Sequence, residues 1–123
     1  MSSTTPGVLI AILLALPTLP ACEPALGPFE DHGDIGDTGR AGSATYDAGT
    51  STFRVVGGGE NMWGDEDAFH FVWTEVSGDV SLAVDVVLPG DGGHPHRKAG
   101  VMIRQSLDAD ARYADAVVHG DGL

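Results

Sequence analysis

The sequence has little positive charge and a single cysteine. It contains 6 Lys and Arg residues against 18 Asp and Glu, for a formal net charge of −12. The basic residues are scattered and form no stripe that could follow a phosphate backbone, so we expect no nucleic-acid partner. An anionic membrane surface would repel the chain for the same reason. Cys22 has no partner for a disulfide within the chain.

Charge is also missing from the whole N-terminal stretch. No Asp, Glu, Lys or Arg precedes Glu23, and residues 8–16 (VLIAILLAL) form an unbroken apolar run. Nine residues would rise only about 14 Å as a helix, which is too short for a hydrocarbon core of about 30 Å. The pattern predicts a signal peptide over residues 1–21, although the usual basic residues at its start are missing.

The apolar stretch leads into LPAC, which is similar to a bacterial lipobox ending at Cys22. Lipid attachment at Cys22 would make the mature protein an exported lipoprotein of the periplasm or outer membrane, and the lipid would be its only membrane contact. Plain secretion and an apolar start without a targeting role are the alternatives.

After Cys22 the composition favours a loop and then strands. Residues 22–42 are rich in Gly, Pro and Asp and are predicted to form a tether and lead-in loop. Residues 43–123 contain no useful helix-period stretch, and alternation of apolar and polar residues dominates. This range is predicted to be a partial β-sandwich domain.

The clearest alternation covers residues 78–88, which predicts a strand with one buried face. A second run over residues 69–74 precedes it, and Ser77-Gly78-Asp79 between them indicates a hairpin. Further strands are predicted over residues 98–107 and 112–119, joined by the turn LDADA, with shorter candidates over residues 44–46 and 52–56.

Consecutive hairpins indicate an antiparallel sheet, and a sheet that buries one face needs a second layer. The sequence therefore predicts an all-β antiparallel β-sandwich. Because the sequence ends at HGDGL, a stretch typical of a turn, we expect the sandwich to be incomplete at the C-terminus and part of its apolar face to be uncovered.

Several stretches resemble a family of secreted bacterial domains with a concanavalin A-like, laminin G-like jelly-roll fold. They are PFEDHGDIG, GENMWGDEDAFHFVW, SGDVSLAVDV and HRKAGVMIRQSLDADARYADAVVHGDGL. The sequence is similar to "regulation of enolase" domains and to the N-terminal region of Tol-type biopolymer transporters, where a β-propeller follows. The resemblance implies a non-catalytic jelly roll of a kind often used to bind glycans, with a propeller downstream in full-length relatives.

Two candidate metal sites can be weighed from residue types. His94 and His96 flank Pro95 in a glycine-rich stretch, which indicates a connection between strands more than a metal clamp, since zinc needs three or four ligands. Asp31, Asp34 and Asp37 recur every third residue among glycines and are candidate ligands for a structural Ca²⁺, although no EF-hand spacing is present. Solvated turns are the alternative, and no cofactor is expected.

Aromatic side chains are the better candidates for ligand contact, because the C–H faces of sugars suit aromatic surfaces. Trp63 lies in a Gly- and Asp-rich loop and Tyr113 begins a strand; both are candidate glycan-binding residues, with packing against the core or an edge as the alternative for Trp63. Trp73 alternates with Phe69 and Phe71 and is expected in the core.

No catalytic residues are predicted. Glu60, Glu66 and Glu75 show no paired arrangement on one strand face, and no serine has a nucleophile-elbow context. The favoured hypothesis is a non-catalytic envelope or secreted module that binds carbohydrate. The alternative is a structural or protein-interaction domain, with an envelope protein as its partner and no ligand of its own. Burial of both tryptophans would favour the alternative.

Overall fold

The computed structural model describes residues 25–120, and this part of the chain is all-β, with no helix. The predicted signal peptide and the lipid-attachment candidate Cys22 lie outside the described residues. Six strands are formed: β1 (Asp31–Ile35), β2 (Ser43–Asp47), β3 (Thr52–Val56), β4 (Phe69–Trp73), β5 (Lys98–Arg104) and β6 (Tyr113–His119). Across residues 25–120 no helix is long and apolar enough to cross a bilayer.

The strands pair as three two-stranded antiparallel sheets, β1–β4, β2–β3 and β5–β6. The predicted all-β, antiparallel class is therefore confirmed. β2–β3 and β5–β6 are hairpins between consecutive strands, and both match the sequence prediction. The β5–β6 pair is the longest, with seven residue pairs from Lys98–His119 to Arg104–Tyr113.

β1 corrects the prediction for the lead-in segment. Residues 31–35 lie within the range 22–42 for which a tether and loop were predicted, yet they pair with β4 over its full length. Glycine and aspartate disfavour strands on their own. The ring of Trp73 covers Gly33 and lies 3.4 Å from the position that a Cβ would take there. A larger side chain at this position would contact the ring, so glycine leaves room for the indole.

The strand predicted over residues 78–88 is absent, and so is the hairpin that would have joined it to β4. The segment forms no strand ladder, and β4 pairs with β1 instead. Its apolar side chains remain accessible to solvent, with Val80, Leu82 and Val84 exposed by 45–54%. Alternation favours an extended conformation, but strand formation also needs a backbone partner, which the pattern does not specify.

The core is small and lies where β1, β2 and the segment before β4 meet. Ile35, Ala44 and Ala68 are its buried apolar residues, and Asp67 is buried beside them. Half-buried aromatic rings extend it on two sides. Phe69, Phe71 and Trp73 follow one another along one face of β4, as predicted, with neighbouring ring centroids 5.6 and 5.9 Å apart. On the β2–β3 hairpin, Phe53 contacts Tyr46, and it also contacts Phe29, which precedes β1.

Candidate functional site

The two predicted ligand-contact residues lie next to each other. Trp63 is at the tip of the segment between β3 and β4 and is 85% exposed, so packing against the core is excluded for it. Tyr113 begins β6, and its hydroxyl donates a hydrogen bond of 3.2 Å to the carbonyl of Met62, the residue before Trp63. We refer to Asn61, Met62, Trp63 and Tyr113 as the aromatic platform.

The platform is fixed to the β5–β6 hairpin at two points. Besides the bond from Tyr113 to Met62, the Lys98 ammonium donates to the side-chain oxygen of Asn61 at 2.6 Å. Burial raises the pKa of the Tyr113 phenol, and the carboxylates of Asp67 and Asp115 raise it further. The hydroxyl therefore stays protonated at neutral pH and remains a donor to the loop. These anchors hold an exposed indole on a loop that has little core of its own.

Arg104 packs against Tyr113 of the platform and pairs with Asp67 in the segment that carries Trp63. Its side chain is 1% exposed and forms an ion pair of 2.7 Å with Asp67, whose side chain is 7% exposed. The guanidinium also lies over the rings of Phe69 and Tyr113, at 5.4 and 5.6 Å from their centroids. A buried charge is tolerated only where it is paired. One residue therefore connects β5, β6, β4 and the segment that carries Trp63.

A second polar arrangement lies on one face of the β1–β4 pair. His70 donates through Nδ1 to Asp34 Oδ1 at 2.6 Å, and His70 Nε2 lies 2.9 Å from His32 Nδ1. We refer to Asp34, His70 and His32 as the histidine chain. The register places Asp34 directly opposite His70, and His32 shares their face because strand side chains repeat every second residue.

Glycines enclose the central ring of the histidine chain. The side chain of His70 is 2% exposed. A Cβ at Gly57 would lie 2.8 Å from His70 Cβ, and a Cβ at Gly42 would overlap the imidazole itself. The backbone N–H of Gly42 donates to both carboxylate oxygens of Asp34, at 3.2 and 3.1 Å. The His70 hydrogen bond, followed by the Gly42 hydrogen bond, lowers the pKa of the Asp34 carboxyl below its ordinary 3.8.

The three aspartates considered for Ca²⁺ are not gathered around one point. Asp31 Oδ1 accepts from the N–H of His32, Asp34 belongs to the histidine chain, and Asp37 Oδ1 accepts from the N–H of Gly39 at 3.0 Å. Asp31 and Asp34 also point to opposite faces of β1, since their separation is odd. Among residues 25–120 no group of three or more His, Cys, Asp or Glu side chains is arranged to hold a metal ion.

His94 and His96 lie in the turn that leads into β5, as the sequence predicts. The Arg97 guanidinium donates to the carbonyls of Gly90 and Gly92, and the Arg97 N–H donates to the His94 carbonyl, which closes the turn. His96 also contacts His119 at the end of β6, with ring centroids 6.2 Å apart. The stretch is thus a folded connection between strands.

Sequence reasoning did not identify the histidine chain. The available signal was the spacing of His32 and Asp34, which would share a face if residues 31–35 formed a strand. That strand was not predicted, and neither was its pairing with β4, so the position of His70 opposite Asp34 could not be inferred.

An apolar groove is the third surface feature. Leu82, Val84 and Val86, the predicted apolar face of residues 78–88, line one side, and Val101, Ala116 and Val118 of the β5–β6 hairpin line the other. The groove has a volume of about 340 Å³ and opens to solvent. Three side chains of the predicted apolar face therefore lie together, but Ala83, which was predicted to face the other way, also lines the groove.

Comparison of the chain with protein-family models, with curated proteins and with solved structures returned no match.

Proposed function

We propose that this protein is a non-catalytic, exported carbohydrate-binding module whose ligand stacks on the aromatic platform. The observation that carries the proposal is the exposure of Trp63, an indole held 85% in solvent on an anchored loop. Leaving a large aromatic surface in water is unfavourable unless a ligand covers it, and sugar rings offer C–H faces of the right shape. The amide of Asn61 and the backbone around Met62 add polar groups beside the ring.

In this proposal the strands form part of a β-sandwich of jelly-roll type. The apolar groove supports it, because two apolar surfaces from different segments already face each other there. The lipobox-like LPAC and the apolar residues 8–16 support export, with Cys22 as the lipid-attachment site of an envelope lipoprotein or with plain secretion as the alternative. The resemblance to the N-terminal region of Tol-type proteins supports a place beside a β-propeller.

Binding to an array of envelope polysaccharides and oligosaccharides tests the proposal. Wild-type protein is expected to retain at least one glycan, and Trp63→Ala is expected to bind that glycan about tenfold more weakly, because the stacking surface is lost. Val87→Ala is the matched control, since Val87 is 83% exposed but lies outside the platform.

Equal retention of a glycan by wild type and Trp63→Ala, or retention of no glycan by the wild type, would remove the carbohydrate proposal. Trp73→Phe provides a further comparison within β4. It changes the half-buried indole and should leave glycan affinity close to that of the wild type.

The apolar groove favours a second candidate function, a structural or protein-interaction domain. Its lining side chains are apolar on both sides, and contiguous exposed apolar surface marks interaction sites in soluble proteins. In that case an envelope protein covers the groove and the aromatic platform has no ligand. Substitutions in the groove would then impair partner binding, while Trp63→Ala would not.

A further inference from the structure

The histidine chain ends at a pocket that shares no lining residue with the aromatic platform. The pocket has a volume of about 310 Å³ and lies where the chain enters β1. We call it the N-terminal pocket. Its lining includes Phe29, Glu30, Asp31 and His32, with Ala44 of β2. His32 is thus both the last member of the histidine chain and part of the pocket wall.

The hydrogen bonds determine which nitrogen atoms of the histidine chain carry protons. The Asp34 carboxylate is ionised, since its pKa is lowered, and it can only accept. The proton of the 2.6 Å bond therefore belongs to His70 Nδ1, and in the neutral ring His70 Nε2 is an acceptor. The proton of the 2.9 Å bond must then belong to His32 Nδ1. With both rings neutral, His32 Nε2 carries a lone pair and no proton.

His32 Nε2 is therefore the ring nitrogen that remains available to accept a hydrogen bond from a ligand in the pocket. His32 Nδ1 is occupied by His70, and within residues 25–120 no hydrogen bond to His32 Nε2 is present. Glu30 lies on the same side of the strand, and its Oε2 accepts from the N–H of Glu75 at 3.2 Å, which holds the carboxylate in position. The polar side chains of the wall are thus all hydrogen-bond acceptors, and Phe29 adds an aromatic ring.

We propose that the N-terminal pocket binds a primary ammonium group, with His32 Nε2 as an acceptor whose tautomer is set by His70 and Asp34. A primary ammonium offers three N–H donors and one positive charge. It can bond to His32 Nε2 and to the Glu30 carboxylate while it contacts the ring of Phe29. The net charge of −12 favours the approach of a cation from solution.

A ligand of other chemistry fits less well. An anion would be repelled by the Glu30 carboxylate, and a neutral acceptor such as a carbonyl would find no donor in the lining side chains. The pocket volume accommodates a small molecule, so an amino sugar and a short polyamine are the two sources of the ammonium to be compared.

Nuclear magnetic resonance of the ¹⁵N-labelled full-length chain tests the proposal directly. A long-range ¹H–¹⁵N spectrum at pH 8 is expected to show His32 protonated at Nδ1 and bare at Nε2. Methylammonium chloride is expected to shift the His32 Nε2 resonance and the backbone amides of Phe29 and Ala44. Tetramethylammonium chloride has the same charge but no N–H donor, and it is expected to bind about tenfold more weakly.

Two results would overturn the proposal: a proton on His32 Nε2 at pH 8, or equal affinity for the two cations. His32→Leu removes the acceptor and is expected to lower methylammonium affinity about tenfold, with Val87→Ala unchanged. The comparison of cations on the wild type decides the question even if His32→Leu does not fold.

Titrations with glucosamine and with putrescine then distinguish the two sources of the ammonium. Tighter binding of glucosamine identifies an amino sugar, and tighter binding of putrescine identifies a polyamine; binding of neither more tightly than tetramethylammonium contradicts the proposal. The same titrations on Trp63→Ala separate the two sites. Unchanged amine binding in that variant is expected, whatever the outcome for glycans at the platform.

Discussion

Asp34 is exposed in part and yet its carboxylate is tightly held. It accepts from His70 of β4 and from the N–H of Gly42, which precedes β2, so a single side chain joins three segments of the sequence. Hydrogen bonds to the ionised form favour ionisation, which explains the lowered pKa of Asp34. In the neutral rings, the same contacts determine which nitrogen of each histidine carries the proton.

The lowered pKa of Asp34 leads to a prediction about acid stability. In the unfolded chain the carboxyl titrates near its ordinary 3.8, whereas in the folded chain it titrates lower. The ionised form therefore stabilises the fold fully above about pH 4, and this contribution is lost as the pH falls through the lowered folded value. Asp34→Asn should be less stable than wild type at pH 6, and the difference should shrink by pH 3.

Urea unfolding at pH 6, 4 and 3 measures this difference in the free energy of unfolding. Asp91→Asn is the control, because Asp91 is exposed in the turn before β5. A stability difference between wild type and Asp34→Asn that stays constant from pH 6 to pH 3 would contradict the role given to the carboxylate.

Single residues also show what the sequence does and does not reveal about a site. Trp63 was identifiable because an indole among Gly, Asn and Asp has few apolar neighbours in sequence with which to form a core. Arg104 was not identifiable, because an arginine that alternates with apolar residues on a strand looks like a solvent-facing residue. Its pairing with Asp67 depends on how the segment before β4 folds back, and no local pattern encodes that.

At the scale of elements, the sequence predicts strands better than their partners. β2, β3, β5 and β6 were predicted because each hairpin has its turn residues and both of its alternating runs close together. β1–β4 joins segments that are distant in sequence, and β1 itself is rich in Gly and Asp. The side-chain contacts that stabilise it, Gly33 under Trp73 and Asp34 with His70, appear only once the two strands are aligned.

The close approach of β2 and β4 at Gly42 gives a second prediction. A methyl group at Gly42 would overlap the imidazole of His70 and lie 2.7 Å from the carbonyl oxygen of Val56. Gly42→Ala is expected to destabilise the protein by about 2 kcal/mol, because the histidine chain or the end of β3 must shift. Chemical denaturation measures the change.

Gly64→Ala is the matched control for Gly42→Ala. Nothing lies within 4 Å of the Cβ position at Gly64, and the substitution reduces the freedom of the unfolded chain. It should leave stability unchanged or raise it by less than about 1 kcal/mol. Equal effects of the two substitutions would show that the imidazole of His70 does not lie against Gly42.

At the scale of the whole molecule, strong negative charge and exposed apolar surface coexist. Val84 is 54% exposed in the apolar groove, whereas Asp79 and Asp85 alternate with the groove residues along the same segment. Mutual repulsion at a net charge of −12 opposes association through the groove, and salt screens that repulsion. Self-association should therefore rise with ionic strength.

Val84→Lys tests whether the groove is responsible. Light scattering in high salt and the fluorescence of a hydrophobic dye are expected to fall for this variant, because a charge at the groove interrupts its apolar surface. Val55→Lys is the control, since Val55 is 49% exposed on β3 and does not line the groove. A similar decrease in both variants would show that the apolar groove is not the surface responsible for self-association.

The division of the strands into three separate two-stranded sheets affects how the molecule unfolds. Within residues 25–120 no backbone ladder joins one two-stranded sheet to the next, so their mutual arrangement depends on side chains such as Arg104 and Asp34 and on the connecting segments. Amide protons report such differences through their exchange with solvent. The β5–β6 sheet, which is the longest, can then keep its amide protons after those of the shorter sheets have exchanged with solvent. The protein therefore unfolds in stages.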